Sequence, residues 1–229
     1  MKNLEMLALV AKGLGPLKEK IVFVGGATIE LYIEDAATPT VRATNDVDCV
    51  VQILTRSDYY ELEENLRKLN FKHPMGKNSP VCRWDYHGIP VDVMPTEGKI
   101  LNFTNRWYPE GYKRAERIKL ADGQEISIFS LPYLIASKIE AFDDRGKGDF
   151  MGSADMEDLI AVLDGSFDAS DKIQAAPHEV RDYLKEKFND FLSNRDFLDA
   201  LIGHLQSPQG TSGRVERIRA LLEKLSESL

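Results

Sequence analysis

Two aspartates one residue apart, Asp46 and Asp48, stand at the head of an apolar run that ends in Val50-Val51. A strand turns successive side chains to opposite faces, so this spacing puts both carboxylates on one face. Paired carboxylates can hold Mg²⁺, a hard cation that takes oxygen ligands. Upstream, Gly25-Gly26 closes the apolar run Ile21-Val22-Phe23-Val24 and leads into a helical pattern. A tight glycine turn before a helix can cradle phosphate with backbone N–H groups. A third carboxylate, Asp92, sits mid-strand in Ile89-Pro90-Val91-Asp92-Val93-Met94. An isolated buried carboxylate is costly unless it is paired or bound to a metal. A solvated sheet face would carry polar residues at the alternate positions, yet Pro90 and Met94 occupy them. Three carboxylates from neighbouring strands suit a two-metal site for in-line displacement at phosphorus.

A second set of charged residues lies further along. Leu131, Leu134, Ile135 and Phe142 form an apolar stripe at helical spacing, and Lys138 falls on it. A lysine there is either a snorkelling stem or a phosphate ligand. Asp155 and Asp158 are one turn apart on the next helix and share a side. Asp155 also suits the positive end of its helix. Between the two sets, Arg106, Lys113, Arg114, Arg117 and Lys119 mingle with Trp107, Tyr108 and Tyr112. That mixture can grip RNA; a solvated hairpin arm explains it equally well. Arg145-Gly146-Lys147-Gly148-Asp149 is no P-loop, for want of the earlier glycine. His73, His87, His178 and His204 form no metal spacing with Cys49 and Cys82.

The elements that must position these residues follow from periodicity and turn chemistry. Helices are expected at 2–14 and 26–34, strands at 21–24 and 46–53, and a loop with Pro39 at 35–44. Ser57 is the expected N-cap of a helix running to Leu69. Strands are expected at 81–86 and 89–94 around His87-Gly88, and at 116–120 and 125–129 around Ala121-Asp122-Gly123. Helices follow at 130–143, 154–163, 178–192, 195–205 and 214–227, with a loop over 208–213. The pattern predicts an α+β domain over 1–129 and an all-helical C-terminal domain over 130–229.

Composition narrows the function. A 43% hydrophobic and 29% charged chain of 229 residues is ordinary for a soluble globular protein, and no run reaches a membrane span. The net charge of −8 argues against nucleic-acid binding through the whole surface, though not through a local basic patch. Two cysteines without a secretory signal point to the reducing cytoplasm and free thiols, with Cys49 facing the core.

Gly25-Gly26 with Thr28, followed by Arg42-Ala-Thr44-Asn-Asp46-Val-Asp48, resembles the nucleotidyltransferase superfamily that shares the polymerase-beta-like palm. The closer likeness is to the AbiEii/AbiGii-type toxin nucleotidyltransferases of bacteria. It extends to Leu134-Ile-Ala-Ser-Lys138-Ile-Glu-Ala-Phe142, Arg145 and Ala154-Asp155-Met-Glu-Asp158-Leu-Ile160, and covers roughly residues 20–165. The resemblance implies a mixed-sheet palm with flanking helices. It implies that Gly25, Gly26 and Thr28, with Arg42, Thr44, Lys138 and Asp155, serve the NTP. It implies that Asp46, Asp48 and Asp92 hold Mg²⁺ or Mn²⁺, and that Lys138 and Asp158 join these aspartates in catalysis. One departure is a longer stretch between Gly26 and Asp46, with Asp35 to Thr40 inserted.

The activity so implied is metal-dependent transfer of a nucleoside monophosphate from NTP to an acceptor hydroxyl. RNA or tRNA is the family's acceptor and an antitoxin protein its restraint, as in toxin–antitoxin and abortive-infection systems. Other acceptors stay open: a protein, or a cationic small molecule such as an aminoglycoside, which suits an acidic chain. So do a catalytically silent NTP-binding regulatory module and an interaction protein that works through its helical tail.

Overall fold

The computed structural model describes residues 1–38, 41–74, 79–101, 105–206 and 213–227; the parts of the expected loops at 39–40 and 208–212 lie outside them. Two compact units emerge, one formed by 1–30 with 43–130 and the other by 31–42 with 131–229. Residues 31–42 therefore group with the helices rather than with the strands that flank them in sequence. Backbone hydrogen bonds tie them there, since the N–H groups of Glu34 and Asp35 both donate to the Gly165 carbonyl, at 2.8 and 3.0 Å.

The first unit is built on a six-stranded mixed sheet. Its strands are β1 (Ile21–Val24), β2 (Val47–Val51), β3 (Arg83–Tyr86), β4 (Ile89–Pro95), β5 (Glu116–Lys119) and β6 (Glu125–Ile128). Their order is β3-β4-β2-β1-β6-β5. β1 runs antiparallel to β2, while the β1–β6 and β2–β4 pairs are parallel. Hairpins form the two ends, β3 with β4 and β5 with β6. All four residues of β1 are buried, as an unbroken apolar run in a central strand should be. The β3–β4 turn is His87-Gly88, with φ of 53° and 80°. Two successive left-handed residues make the tight hairpin turn whose twist matches that of the strands.

Helix α1 (Asn3–Leu14) buries Met6, Leu7, Val10, Ala11 and Leu14, a stripe at 3.6-residue spacing. Helix α2 (Arg56–Lys68) is capped by Thr55 rather than by Ser57. Thr55 Oγ1 accepts from Asp58 N at 3.2 Å and the Asp58 carboxylate accepts from Thr55 N at 3.0 Å. This reciprocal box satisfies two otherwise orphaned donors, which Ser57 inside the first turn could not do. Two short helices follow, α3 (Gly98–Leu101) and α4 (Tyr108–Lys113).

The second unit carries α5 (Leu131–Arg145), α6 (Ala154–Gly165), α7 (Ala169–Gln174), α8 (His178–Ser193), α9 (Arg195–His204) and α10 (Arg214–Glu227). Phe142, Phe150, Phe191 and Phe197 form its aromatic core, with Phe191 stacked on Phe197 at 4.7 Å. Each such ring removes a large apolar area from water and adds edge or stacking attraction. Among the described residues, no helix is long and apolar enough to cross a membrane.

Candidate functional site

Strand register brings the carboxylates together. Val24 on β1 faces Asp48 on β2, Asp48 faces Asp92 on β4, and Asp92 faces Arg83 on β3. The four residues make one row across the sheet. Asp46, two positions before Asp48, lies on the same side. Asp46, Asp48 and Asp92 each offer an oxygen, and these atoms lie within 4.8 Å of one another. The Asp92 side chain is 13% exposed and that of Asp46 34%. An all-oxygen, partly desolvated donor set of this size fits a hard divalent cation.

Each member of the triad is braced. Gly25 has φ of +75°, and a Cβ there would overlap Asp48 Oδ2 and stand 2.9 Å from its Cγ. Glycine is thus required both by the backbone conformation and by the approach of Asp48. Thr44 Oγ1 donates to Asp46 Oδ1 at 2.8 Å, and Thr44 N donates to Oδ1 of Asn3 at 3.1 Å. Asn3 is itself buried, so Thr44 is held from behind.

Arg83 closes the row. Its Nε and Nη2 donate to Asp92 Oδ1 and Oδ2 at 2.8 and 2.7 Å, and Nη2 also reaches Asp46 Oδ2 at 3.3 Å. The hydrogen bond it donates to Asp92 is the main reason that the guanidinium holds its proton more tightly than usual; burial opposes it and the charges of Asp92 and Asp46 add to it. Nothing in the local pattern around Arg83 marks it as functional. The signal lay in counting: a two-residue turn at His87-Gly88 pairs Tyr86 with Ile89 and so Arg83 with Asp92.

The glycine turn differs from expectation. The α-helix predicted for 26–34 is a 3₁₀-helix, Gly26–Tyr32. Thr28 N and Thr28 Oγ1 both donate to the Gly25 carbonyl, at 3.2 and 2.9 Å. Thr28 is fully buried, so its hydroxyl fixes the turn. A short 3₁₀ segment has a weaker macrodipole than a full α-helix, so a phosphate cradle here would rest on the Gly25-Gly26 amides.

Lys138, Asp155, Asp158 and Arg42 form a cluster inside the second unit. Lys138 Nζ lies 3.1 Å from Asp155 Oδ1 and 2.5 Å from Asp158 Oδ2. Arg42 forks onto Asp158 at 2.8 and 2.9 Å, and Arg145 forks onto Asp155 at 2.9 and 3.0 Å. The two aspartates do share a side of α6, and the apolar stripe of α5 does bury Lys138, which is 7% exposed. Burial disfavours the Arg42 charge, but the hydrogen bond and charge of Asp158 outweigh it and raise its pKa. The Arg-x-Thr-x-Asp-x-Asp motif is therefore shared out: Arg42 serves the helices, while Thr44, Asp46 and Asp48 serve the sheet.

Of the basic and aromatic residues at 106–119, Trp107 is closed to stacking by burial, while Tyr108 and Tyr112 are half-buried and the basic side chains are exposed. Trp107 is 3% exposed, and Arg106 lies over its ring at 4.9 Å. Lys113 pairs with Glu110 at 2.6 Å and Arg117 with Glu19 at 2.5 Å. Both cysteines are free and buried. Burial, with the charges of Asp48 and Asp92 behind it, raises the Cys49 thiol well above its ordinary pKa.

No protein-family model matches the chain, and no curated protein matches it.

Proposed function

We propose that this chain is a divalent-metal-dependent nucleotidyltransferase with a palm built on its mixed sheet, moving a nucleoside monophosphate from NTP to an acceptor hydroxyl. The observation that carries this reading is the convergence of Asp46, Asp48 and Asp92 ligand oxygens within 4.8 Å of one another. The motif resemblance supplies the rest: the nucleotide as donor, RNA or tRNA as acceptor, and a toxin-type setting with a restraining antitoxin.

In this reading Asp46 and Asp48 hold Mg²⁺ or Mn²⁺, with Asp92 as third carboxylate. Bound metal supplies Lewis acidity at the phosphoryl oxygens and neutralises charge on the leaving pyrophosphate. Thr44 keeps Asp46 aimed, and Gly25 leaves room for Asp48. The Gly25-Gly26 amides hold phosphate oxygens. Asp92 accepts the proton of the acceptor hydroxyl as its oxygen bonds to the α-phosphorus. The bond from that phosphorus to the bridging oxygen breaks, and pyrophosphate departs. The parts of Lys138, Asp155 and Asp158 in this chemistry rest on the motif. Their mutual ion pairs already account for their burial without a ligand.

The test is transfer of label from each α-labelled NTP, with Mg²⁺ or Mn²⁺, to total RNA or lysate protein. Label is expected with the wild-type chain and not with the Asp46→Asn/Asp48→Asn double variant. Absence of label with every nucleotide and acceptor pool would overturn the assignment.

A further inference from the structure

We propose that Arg83 is a positioning residue that competes with divalent metal for Asp92 and Asp46, so that the triad takes up its cation in exchange for this guanidinium. The inference rests on reading the triad as a metal centre and concerns how that centre is kept and opened.

The geometry carries it. Both oxygens of Asp92 accept from Arg83, in a fork of 2.8 and 2.7 Å. Asp46 has both oxygens engaged as well, Oδ2 with Arg83 and Oδ1 with Thr44. Asp92 and Asp46 thus each have both oxygens hydrogen-bonded, and Arg83 makes three of those four bonds. Arg–carboxylate forks of this kind are among the stronger hydrogen-bonded pairs, so metal must displace a good ligand. A metal among the same oxygens would also face the guanidinium charge at short range, in a partly desolvated setting. The three carboxylates bring a formal charge of −3, and Arg83 offsets one unit of it when no metal is bound. Arg83 therefore stands in for cation and holds like-charged Asp92 and Asp46 together without one.

Arg83 can also leave. It stands on β3, at one end of the sheet order, and its side chain is 32% exposed. Once released, the planar guanidinium has five donors suited to phosphate oxygens. Nucleotide would then receive the arginine that metal displaces, and the two ligands would bind synergistically.

The experiment is Mn²⁺ titration of the full chain followed by paramagnetic resonance, without nucleotide and then with a non-hydrolysable NTP. Arg83→Gln is expected to bind Mn²⁺ at least tenfold more tightly than wild type in the absence of nucleotide. Nucleotide should enhance Mn²⁺ affinity in wild type more than in the variant. Arg83→Lys, which keeps the charge but loses the fork, is expected to tighten Mn²⁺ binding by a smaller factor. It decides the matter if Arg83→Gln fails a thermal-unfolding check. Arg117→Gln, on β5 at the other end of the sheet order, should leave Mn²⁺ affinity unchanged. A folded Arg83→Gln or Arg83→Lys with unchanged or weaker Mn²⁺ affinity overturns the proposal, while the wild-type metal centre stands. Failure of every form to bind Mn²⁺ overturns the metal reading and this inference with it.

Discussion

The carboxylate of Asp48 occupies the space that a side chain at Gly25 would need. A Cβ there would overlap Oδ2, and the backbone φ of +75° already favours glycine. Gly25→Ala must therefore bear left-handed strain of about 1–3 kcal/mol and push Asp48 out of the row. Urea unfolding should register that loss of stability. Mn²⁺ affinity should fall with it, because the triad loses its central member. A variant as stable as wild type with Asp48 still binding metal would contradict the geometry.

Thr44 gives a milder test of the same centre. Its hydroxyl donates to Asp46 Oδ1 and touches no other member of the triad in the bonds described. Groups that orient a metal ligand typically contribute about 10–100-fold to metal affinity. Thr44→Val keeps the shape and removes the donor. It should weaken Mn²⁺ binding within that range and leave the unfolding midpoint close to wild type. Unchanged Mn²⁺ affinity would mean that Asp46 needs no aiming.

How much of this was legible beforehand depends on the range of the signal. The period of two put Asp46 and Asp48 on one face, and the i, i+3 spacing put Asp155 and Asp158 on one side of α6, where both reach Lys138. These are local rules, and they held. Thr55 displaced Ser57 as cap because only the earlier residue can exchange bonds with Asp58. Gly26–Tyr32 wound as a 3₁₀-helix, with Thr28 spending both N–H and hydroxyl on the Gly25 carbonyl. The membership of 31–42 in the second unit depends on Gly165, more than a hundred residues away, and no local pattern carries it. Arg83 was within reach through the hairpin register, but it stands out only once Asp92 is known to matter.

The buried cluster around Lys138 has its own signature. Removing the lysine leaves Asp155 and Asp158 with Arg145 and Arg42 alone, in a setting where Asp158 is 1% exposed. Breaking a buried pair by deleting one partner usually costs about 3–5 kcal/mol. Lys138→Met should lower stability by an amount of that order in urea titration. Adding Asp158→Asn should lower stability further, since that change also removes the carboxylate onto which Arg42 forks. If the single variant is as stable as wild type, the ion pairs do not hold the helices, and a purely ligand-binding role for Lys138 gains ground.

Cys82 supplies the pH dependence. Burial raises its thiol to about 11, and the nearby Asp92 charge works in the same direction. A raised pKa means that the folded chain binds this proton more tightly than the unfolded chain does. The associated stability is therefore fully present below the ordinary thiol pKa and is lost as pH climbs through about 11. The thiolate is the reactive form, and a thiol pushed up to about 11 has roughly 100-fold less of it at pH 8 than an ordinary one. Alkylation of Cys82 by iodoacetamide at pH 8, read by mass spectrometry, should be slower in the native chain than in urea by about that factor. Cys82→Ala should flatten the decline of stability between pH 9 and 11. Equal alkylation rates in native and unfolded chain would show that the thiol is not sequestered.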